Sequence, residues 1–352
     1  MKVLVAMSGG VDSSVAALLL REQGHDVVGV TMRLWGGESD TGCCSVSDVD
    51  DARRVAQQIG VDHLVFNFTE EFHDKVVNPY VNSHQVGLTP NPCIECNRHL
   101  KFDKLIERGR ELGFDAVATG HHARIAADDS GVLRVARGAD SKKDQSYVVH
   151  MLSGDDLAYT LFPVGHLVKS DVRALAARVD LRTAAKPDSQ DVCFIGSTVG
   201  RDGFLGSRVE FHAANVVDTS GEHVGTVNAV ELVTVGQRRG LNLGGGPPRY
   251  VVDVDVSERK VVVGSEDDLL TDGVTVAQLA WPHDFDSDIV GTRVLVQGSA
   301  HGARAEACAV SLADGELVLE WTRRQRRIAP GQSVVFYDLS DTFVVGGGVV
   351  SR

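Results

Sequence analysis

Long apolar runs are missing from this sequence. Although 43% of its 352 residues are hydrophobic, no stretch approaches the roughly 18 consecutive apolar residues that a membrane-spanning helix needs. Aromatics make up only 6% and prolines number nine, and neither internal repeats nor low-complexity tracts occur. Cysteine is scarce: the six include an adjacent pair, Cys43 and Cys44, and their spacing is not that of a disulfide-stapled secreted domain. The amino-terminal MKVLVAMSGG has an apolar stretch too short for a secretory signal and no small-residue cleavage site, so no leader is expected. A reducing cytoplasm is the expected compartment, where a CxxC reads as redox, metal or catalytic chemistry. Positive charge is also in deficit. Lys and Arg total 35 against 48 Asp and Glu, a net charge of −13. That argues against a general nucleic-acid coat and leaves room for local basic clusters.

What is present is an alternation. Residues 1–199 read as strand, helix, strand, helix: KVLVAM (2–7), a helical stretch stopping at Gly24, DVVGVTMRLW (26–35), a helix ending at Gly60, HLVFNF, a helix over 97–113 and DAVATG (115–120). Strands separated by helices predict an α/β domain with a parallel sheet and ligands beyond its carboxyl ends. After about residue 200, short alternating strands with glycine turns take over. The pattern predicts a small middle domain over 200–265 and a β-barrel over 266–352.

Met7-Ser8-Gly9-Gly10-Val11-Asp12-Ser13-Ser14 lies between the first strand and the first helix. Two glycines let backbone approach an anion, while the helix start and the hydroxyls of Ser8, Ser13 and Ser14 offer donors. No Lys follows the last glycine, as a Walker loop requires, and G-x-G-x-x-G is absent. Further along, TPNPCIECNRHLKF (89–102) holds Cys93 and Cys96, and AKPDSQDVCFIG (185–196) holds Cys193. Cys96 is placed at or just before a helix amino terminus, where the dipole favours thiolate. Three chemistries suit a CxxC with one distant cysteine. One is structural zinc with His99 as a fourth ligand. Another is a [4Fe–4S] cluster held by Cys93, Cys96 and Cys193 with one iron open. The third is a persulfide on one cysteine with another as nucleophile. Cys43, Cys44 and Cys308 read as non-catalytic.

The SGGxDS pattern directly after a strand resembles the pyrophosphate-binding loop of the N-type ATP pyrophosphatases. That resemblance implies ATP held by Ala6, Met7, Ser8, Gly9, Gly10, Val11, Asp12 and Ser13, flanked by Met32 and Gly120, with Asp12 helping to hold Mg²⁺. SGGVDSS, NPCIECNRHLKF, TGHHAR, KKDQSYVV, KPDSQDVCFI and VGQRRGLNLGGG occur in the order found in the tRNA-specific 2-thiouridylases, and the similarity covers almost the whole chain. It implies adenylation of the wobble uridine O2, Cys193 as persulfide carrier loaded by a sulfur-donor protein, and Cys96 as the nucleophile that ends in a disulfide with Cys193. Cys93 stands where many members have Asp, which favours the cluster chemistry.

For tRNA, the resemblance points to Asn91, Pro92, Cys93, His121, Lys142, Lys143, Asp144, Gln145, Arg304 and Gln332, with Tyr147 available to stack on a base. Arg323-Arg324-Gln325-Arg326-Arg327 is the densest positive run, and Arg238 and Arg239 form another cluster. In HGARAEA, Ala305 replaces a common aromatic, and GTVNAVELVTVGQRRG lacks the usual His and Tyr. A monomer is expected. Two rivals stand beside this reading. Another N-type pyrophosphatase that amidates or ligates would have no need of Cys96 and Cys193, and a cluster-holding RNA-binding module would not need Asp12 and Ser13.

Overall fold

The computed structural model describes residues 1–35, 46–188, 192–196, 199–244, 246–282 and 289–352. Cys43 and Cys44 lie outside the described residues. The first seven strands are β1 (Lys2–Ala6), β2 (Asp26–Arg33), β3 (Asp62–Asn67), β4 (Ala116–Ala118), β5 (Ala123–Ala127), β6 (Leu133–Arg137) and β7 (Thr160–Leu161). Five of them form a parallel sheet in the order β3-β2-β1-β4-β7, and β5 and β6 make a hairpin. The expected parallel sheet is therefore present.

Sequence accounts for its centre. Val3, Leu4 and Val5 of β1 are fully buried, as a strand covered on both faces requires. Helices α1 (Val11–Glu22) and α2 (Val46–Ile59) pack Val15, Leu18, Val55, Ala56 and Ile59 against Val3 and Val5. Burying side chains of this size contributes roughly 1.5–3 kcal/mol each. Gly24 ends α1 with φ +83°. There its N–H donates to the Arg21 carbonyl and the next N–H, of His25, to that of Leu20, a left-handed cap that glycine adopts without strain.

The remaining strands are β8 (Ala214–Asp218), β9 (His223–Val227), β10 (Tyr250–Asp255), β11 (Lys260–Gly264), β12 (Leu270–Ala280), β13 (Arg293–Gln297), β14 (Arg304–Ala313), β15 (Glu316–Arg326), β16 (Ser333–Tyr337) and β17 (Val344–Val350). The first four form a sheet in the order β10-β11-β8-β9, and the last six close into a barrel, β12-β15-β14-β13-β16-β17. Closure removes the unpaired edges that a flat sheet of such strands would expose. Its core holds Val276, Val294, Leu317, Leu319, Val334 and Phe336.

By contacts the chain divides into two compact units. One comprises Met1–Val77, Pro92–Thr198 and Asp341–Val344; the other comprises Asn78–Asn91, Val199–Ser340 and Val345–Arg352. The chain exchange is absent from the sequence reading. In the first unit the late segment closes on the hairpin, where Arg137 N–H donates to the Thr342 carbonyl at 2.9 Å and its guanidinium pairs with Asp341 at 2.7 Å.

Candidate active site

At the carboxyl end of β1 the chain turns through Ser8-Gly9-Gly10 into α1. Gly9 has φ +72°, and a Cβ there would lie 2.5 Å from the Asp48 carbonyl oxygen. The Ser13 hydroxyl accepts from the Ser8 N–H at 3.2 Å and donates to the Gly10 carbonyl at 3.1 Å. Ser14 Oγ donates to the same carbonyl at 2.7 Å and accepts from Thr183 Oγ1 at 3.1 Å. Buried and committed in this way, Ser14 does not supply the donor expected of it, whereas Ser8 is exposed. The N–H groups of Val11, Asp12 and Ser13 fall in the first turn of α1, where no intrahelical acceptor exists. This is the geometry of an anion site, favoured by the positive end of the helix dipole. Two expected flanking positions sit by the loop or in the strand beside β1. Gly120 follows β4, and a Cβ on it would meet Ser13 N at 2.5 Å; Met32 is buried near the end of β2.

Asp12 is the electrostatic centre. Its carboxylate accepts from Lys169 Nζ at 2.6 and 2.7 Å and from His122 Nε2 at 2.9 Å. Burial pushes the Asp12 carboxyl up, but the hydrogen bonds from His122 and Lys169 outweigh it and hold it below the ordinary range. Lys169 also reaches Asp188 at 2.9 Å. Asp188 pairs in addition with Lys143 at 2.7 Å and Arg173 at 2.9 Å. Burial raises the Asp188 carboxyl, yet Lys143 and Lys169 bring it down to about 2. Lys186 Nζ donates to the Gly9 carbonyl at 3.0 Å, Asp48 at 2.7 Å and Asp51 at 2.9 Å. His122, Lys169, Lys186 and Asp188 were not among the expected site residues. Spacing could not mark them, because they come from three separate places in the chain, at 122, 169 and 186–188, and meet only around the loop.

Cys96 is placed differently from expectation. A helical turn runs Pro92–Cys96 and continues directly into a π-helical stretch, Asn97–Lys104, with Cys96 itself at φ −62° and ψ −44°. Cys96 therefore lies a full turn inside the helical path, not at its amino terminus. Proline at the first position starts the helix early because its missing N–H needs no partner there. Cys96 is buried, Cys93 exposed and Cys193 half-buried. Beside Cys193, Phe194 packs on Trp35 and Phe72 with ring centroids 6.2 and 5.6 Å away. Among the described residues no group of three or more His, Cys, Asp or Glu side chains is placed to hold a metal ion. His99, the suggested fourth zinc ligand, is instead bracketed by Glu95 at 3.3 Å and Asp103 at 3.2 Å.

Several residues expected to touch RNA serve the fold. Gln145 Oε1 accepts from the His122 N–H at 2.8 Å. Asp144 takes the Arg137 guanidinium, the Gly138 N–H and the Ser146 hydroxyl, and Tyr147 is fully buried, so it cannot stack on a base. His121 is buried between Phe102 and Phe162 and bonded to Thr119 Oγ1 at 2.7 Å; burial drives its pKa well below the usual value. Gln332 Nε2 donates to the Thr89 carbonyl at 2.7 Å. Lys143 is paired with Asp188, as above, and Pro92 is buried. Lys142, Arg238, Arg239, Arg304 and Arg323 are exposed, Cys93 is exposed as stated, and Asn91 is half-exposed.

A parallel sheet with a glycine-serine loop and a carboxylate at its carboxyl end defines a nucleotide-binding α/β domain, here joined to a mixed sheet and a closed barrel. Three family profiles match in register with that architecture: a tRNA methyl transferase HUP domain over residues 1–197, a tRNA methyl transferase PRC-barrel domain over 202–265 and an aminomethyltransferase β-barrel domain over 271–350. The chain belongs to the tRNA-specific 2-thiouridylase family. It is 43% identical to the tRNA-specific 2-thiouridylase MnmA of Chloroflexus aggregans, over 99% of this chain and 98% of that one. To the Symbiobacterium thermophilum protein of the same name it is 42% identical, over 100% and 92%. A solved 4-thiouridine synthetase–RNA complex with bound ATP overlaps 55% of this chain and 44% of that one, at 19% identity and a TM-score of 0.35, too loose a likeness to assign anything.

Proposed function

We propose that this chain is a tRNA-uridine 2-sulfurtransferase that converts the wobble uridine of tRNA to 2-thiouridine at the expense of ATP, releasing AMP and pyrophosphate. The observation that carries the chemistry is the Ser8–Ser13 loop, with its open helix-start N–H groups beside Asp12 and Lys169. Phosphate oxygens suit those donors. Uridine O2 attacks the α-phosphorus and pyrophosphate departs, so that C2 carries AMP as a leaving group. Magnesium fits one carboxylate plus substrate phosphates, and Asp12 is that carboxylate; the ion would neutralise phosphate charge there. Lys169, shared by Asp12 and Asp188, is placed to follow the same charge.

For sulfur, Cys193 is the proposed carrier, loaded as a persulfide by a donor protein. Its terminal sulfur bonds to C2 as AMP leaves. The Cys96 thiolate then attacks Cys193 Sγ, the sulfur stays on the uridine, and a Cys96–Cys193 disulfide forms that an external dithiol must reduce before the next turnover. Such a bond needs the two Cα atoms within about 7 Å. Cys93, Cys96 and Cys193 do not stand together as a metal-holding group among the described residues, so no step is routed through an iron–sulfur cluster. Anaerobic iron reconstitution tests that alternative, and a broad visible absorbance with iron-dependent activity would favour it. RNA contacts are proposed at Asn91, Cys93, Lys142 and Arg304, with the arginine clusters. The module boundaries 1–199, 200–265 and 266–352, a cytoplasmic location and a monomeric enzyme complete the reading. No described helix is long and apolar enough to cross a membrane.

Incubation with a wobble-uridine tRNA, ATP, Mg²⁺ and a sulfide source should yield thiolated tRNA, seen as retarded migration in a mercury-containing gel. Unmodified tRNA with uncut ATP would overturn the proposal. Cys193→Ser should abolish transfer from a persulfide donor, and full activity with that donor would remove Cys193 as carrier.

A further inference from the structure

The three residues Lys186, Pro187 and Asp188 lie only a few positions before Cys193, which assigns them at first sight to sulfur transfer. Their contacts point elsewhere. Lys186 Nζ has three N–H donors and three acceptors within reach: the Gly9 carbonyl at 3.0 Å, Asp48 at 2.7 Å and Asp51 at 2.9 Å. Asp48 and Asp51 belong to α2. Lys186 thus ties the glycine turn of the loop to the beginning of that helix. No cis peptide occurs among the described residues, and in a trans peptide the C=O and the following N–H point in opposite directions. Drawing the Gly9 carbonyl toward Lys186 therefore aims the Gly10 N–H the other way. Among the described residues that N–H donates to no acceptor. Two positions on, Asp188 holds Lys169 at 2.9 Å, and Lys169 holds Asp12. One short stretch therefore fixes both the glycine and the carboxylate of the loop.

We propose that Lys186 is a positioning residue for ATP: it sets the Gly9–Gly10 peptide so that the Gly10 N–H faces the phosphates, and it acts in nucleotide binding rather than in sulfur transfer. The inference rests on the loop being the ATP site. Titration of the full chain with Mg²⁺ and a non-cleavable α,β-methylene ATP tests both statements separately. A wild-type chain that fails to bind overturns the ATP reading and this inference with it. Binding by wild type with an unchanged Lys186→Met variant overturns this inference alone.

The expected result is at least a tenfold rise in Kd for Lys186→Met. KM for ATP should rise equally in the thiolation assay, with kcat at saturating ATP within threefold of wild type. Lys186→Arg, which retains charge and reach to both carboxylates, should return the affinity to within threefold. A general loss of folding would lower kcat and the melting temperature without moving KM. Lost thiolation at unchanged Kd would place Lys186 in the sulfur step and overturn the proposal. Should Lys186→Met fail to fold, Asp51→Asn removes one anchor at constant volume; Asp51 also pairs with Arg182 at 3.0 Å. A three- to fivefold weakening is expected there, and unchanged affinity overturns the proposal.

Discussion

The nucleotide loop and the arginine run of β15 both gather cations, and they hold them in opposite ways. Around the loop, Lys169 is only 12% exposed and touches two carboxylates, while Lys186 has all three donors engaged. Along and after β15, Arg323, Arg324, Arg326 and Arg327 are exposed. Arg326 pairs with Glu266 at 2.8 Å and lies over the Tyr250 ring. Arg327 donates to the Val252 carbonyl at 3.0 Å, and Arg324 reaches Asp272 at 3.4 Å. Desolvated cations among carboxylates have one low-energy geometry, because an unpaired charge there is expensive. Exposed pairs are worth about 0–1 kcal/mol and exchange readily with solvent or another anion. The first arrangement suits a reaction centre that must hold atoms in place; the second suits a surface that must release its polyanion.

The strongest attempt to break this contrast is Asp12→Ala. It should lower the thiolation rate about a thousand-fold, or about 4 kcal/mol, in a single-turnover assay, and no single arginine of the run should approach that loss. Stability gives the next comparison. Lys169→Met leaves Asp12 without its ammonium partner and Asp188 with one fewer, and should cost about 3 kcal/mol by denaturant titration. Arg326→Ala should cost under about 1 kcal/mol, and equal losses would erase the distinction.

Acid separates the loop from the rest of the fold. Buried His84 and His150 have their pKa values lowered to about 4, mainly by burial. The unfolded chain therefore binds protons that the folded chain does not between about pH 6.5 and 4, and stability falls as pH drops through that window. Melting curves should show a loss on the order of 4 kcal/mol between pH 7 and pH 5, about 2 kcal/mol from each histidine. Asp188, held at about 2, contributes stability that is full above the ordinary carboxylate range and is lost only as pH falls toward 2. Its pairs should therefore outlast the histidine effect, and a loop that loosened first, seen by faster amide exchange at the hydrogen-bonded N–H groups of Ser8 and Ser14, would contradict this. The smallest effect is expected from Arg323→Ala with Arg324→Ala. Affinity for tRNA should drop about fivefold and the slope of affinity against salt should flatten by one to two ions. An unchanged slope would remove the run from the RNA surface.

Much of the fold was legible because local patterns carry it. The β-branched run of β1, the caps at Gly24 and Gly60 and the glycine-turned strands after residue 200 are short-range signals, and each element appears where they place it. The loop was legible for the same reason. The surroundings of the residues expected to meet RNA were not legible in the same way. Gln145, Tyr147, His121 and Gln332 have side chains that suit a base or a phosphate, yet each is occupied inside its own unit. Residue type states what a group can bond to, while burial decides what it does bond to. Cys96 was placed at a helix start because the helix was read over 97–113, but Pro92 opens the helical path five residues before Asn97.

Sequence by itself determined the class of the molecule: a parallel α/β nucleotide domain, a glycine-serine loop, two separated cysteines, a barrel and the family to which they belong. All of these rest on neighbours along the chain. Tertiary structure alone decided that Asp12 is held by His122 and Lys169, and that the stretch before Cys193 grips the loop through Lys186 and Asp188. A salt bridge across more than a hundred residues leaves no spacing in the sequence, since it exists only once folding has removed water from both partners.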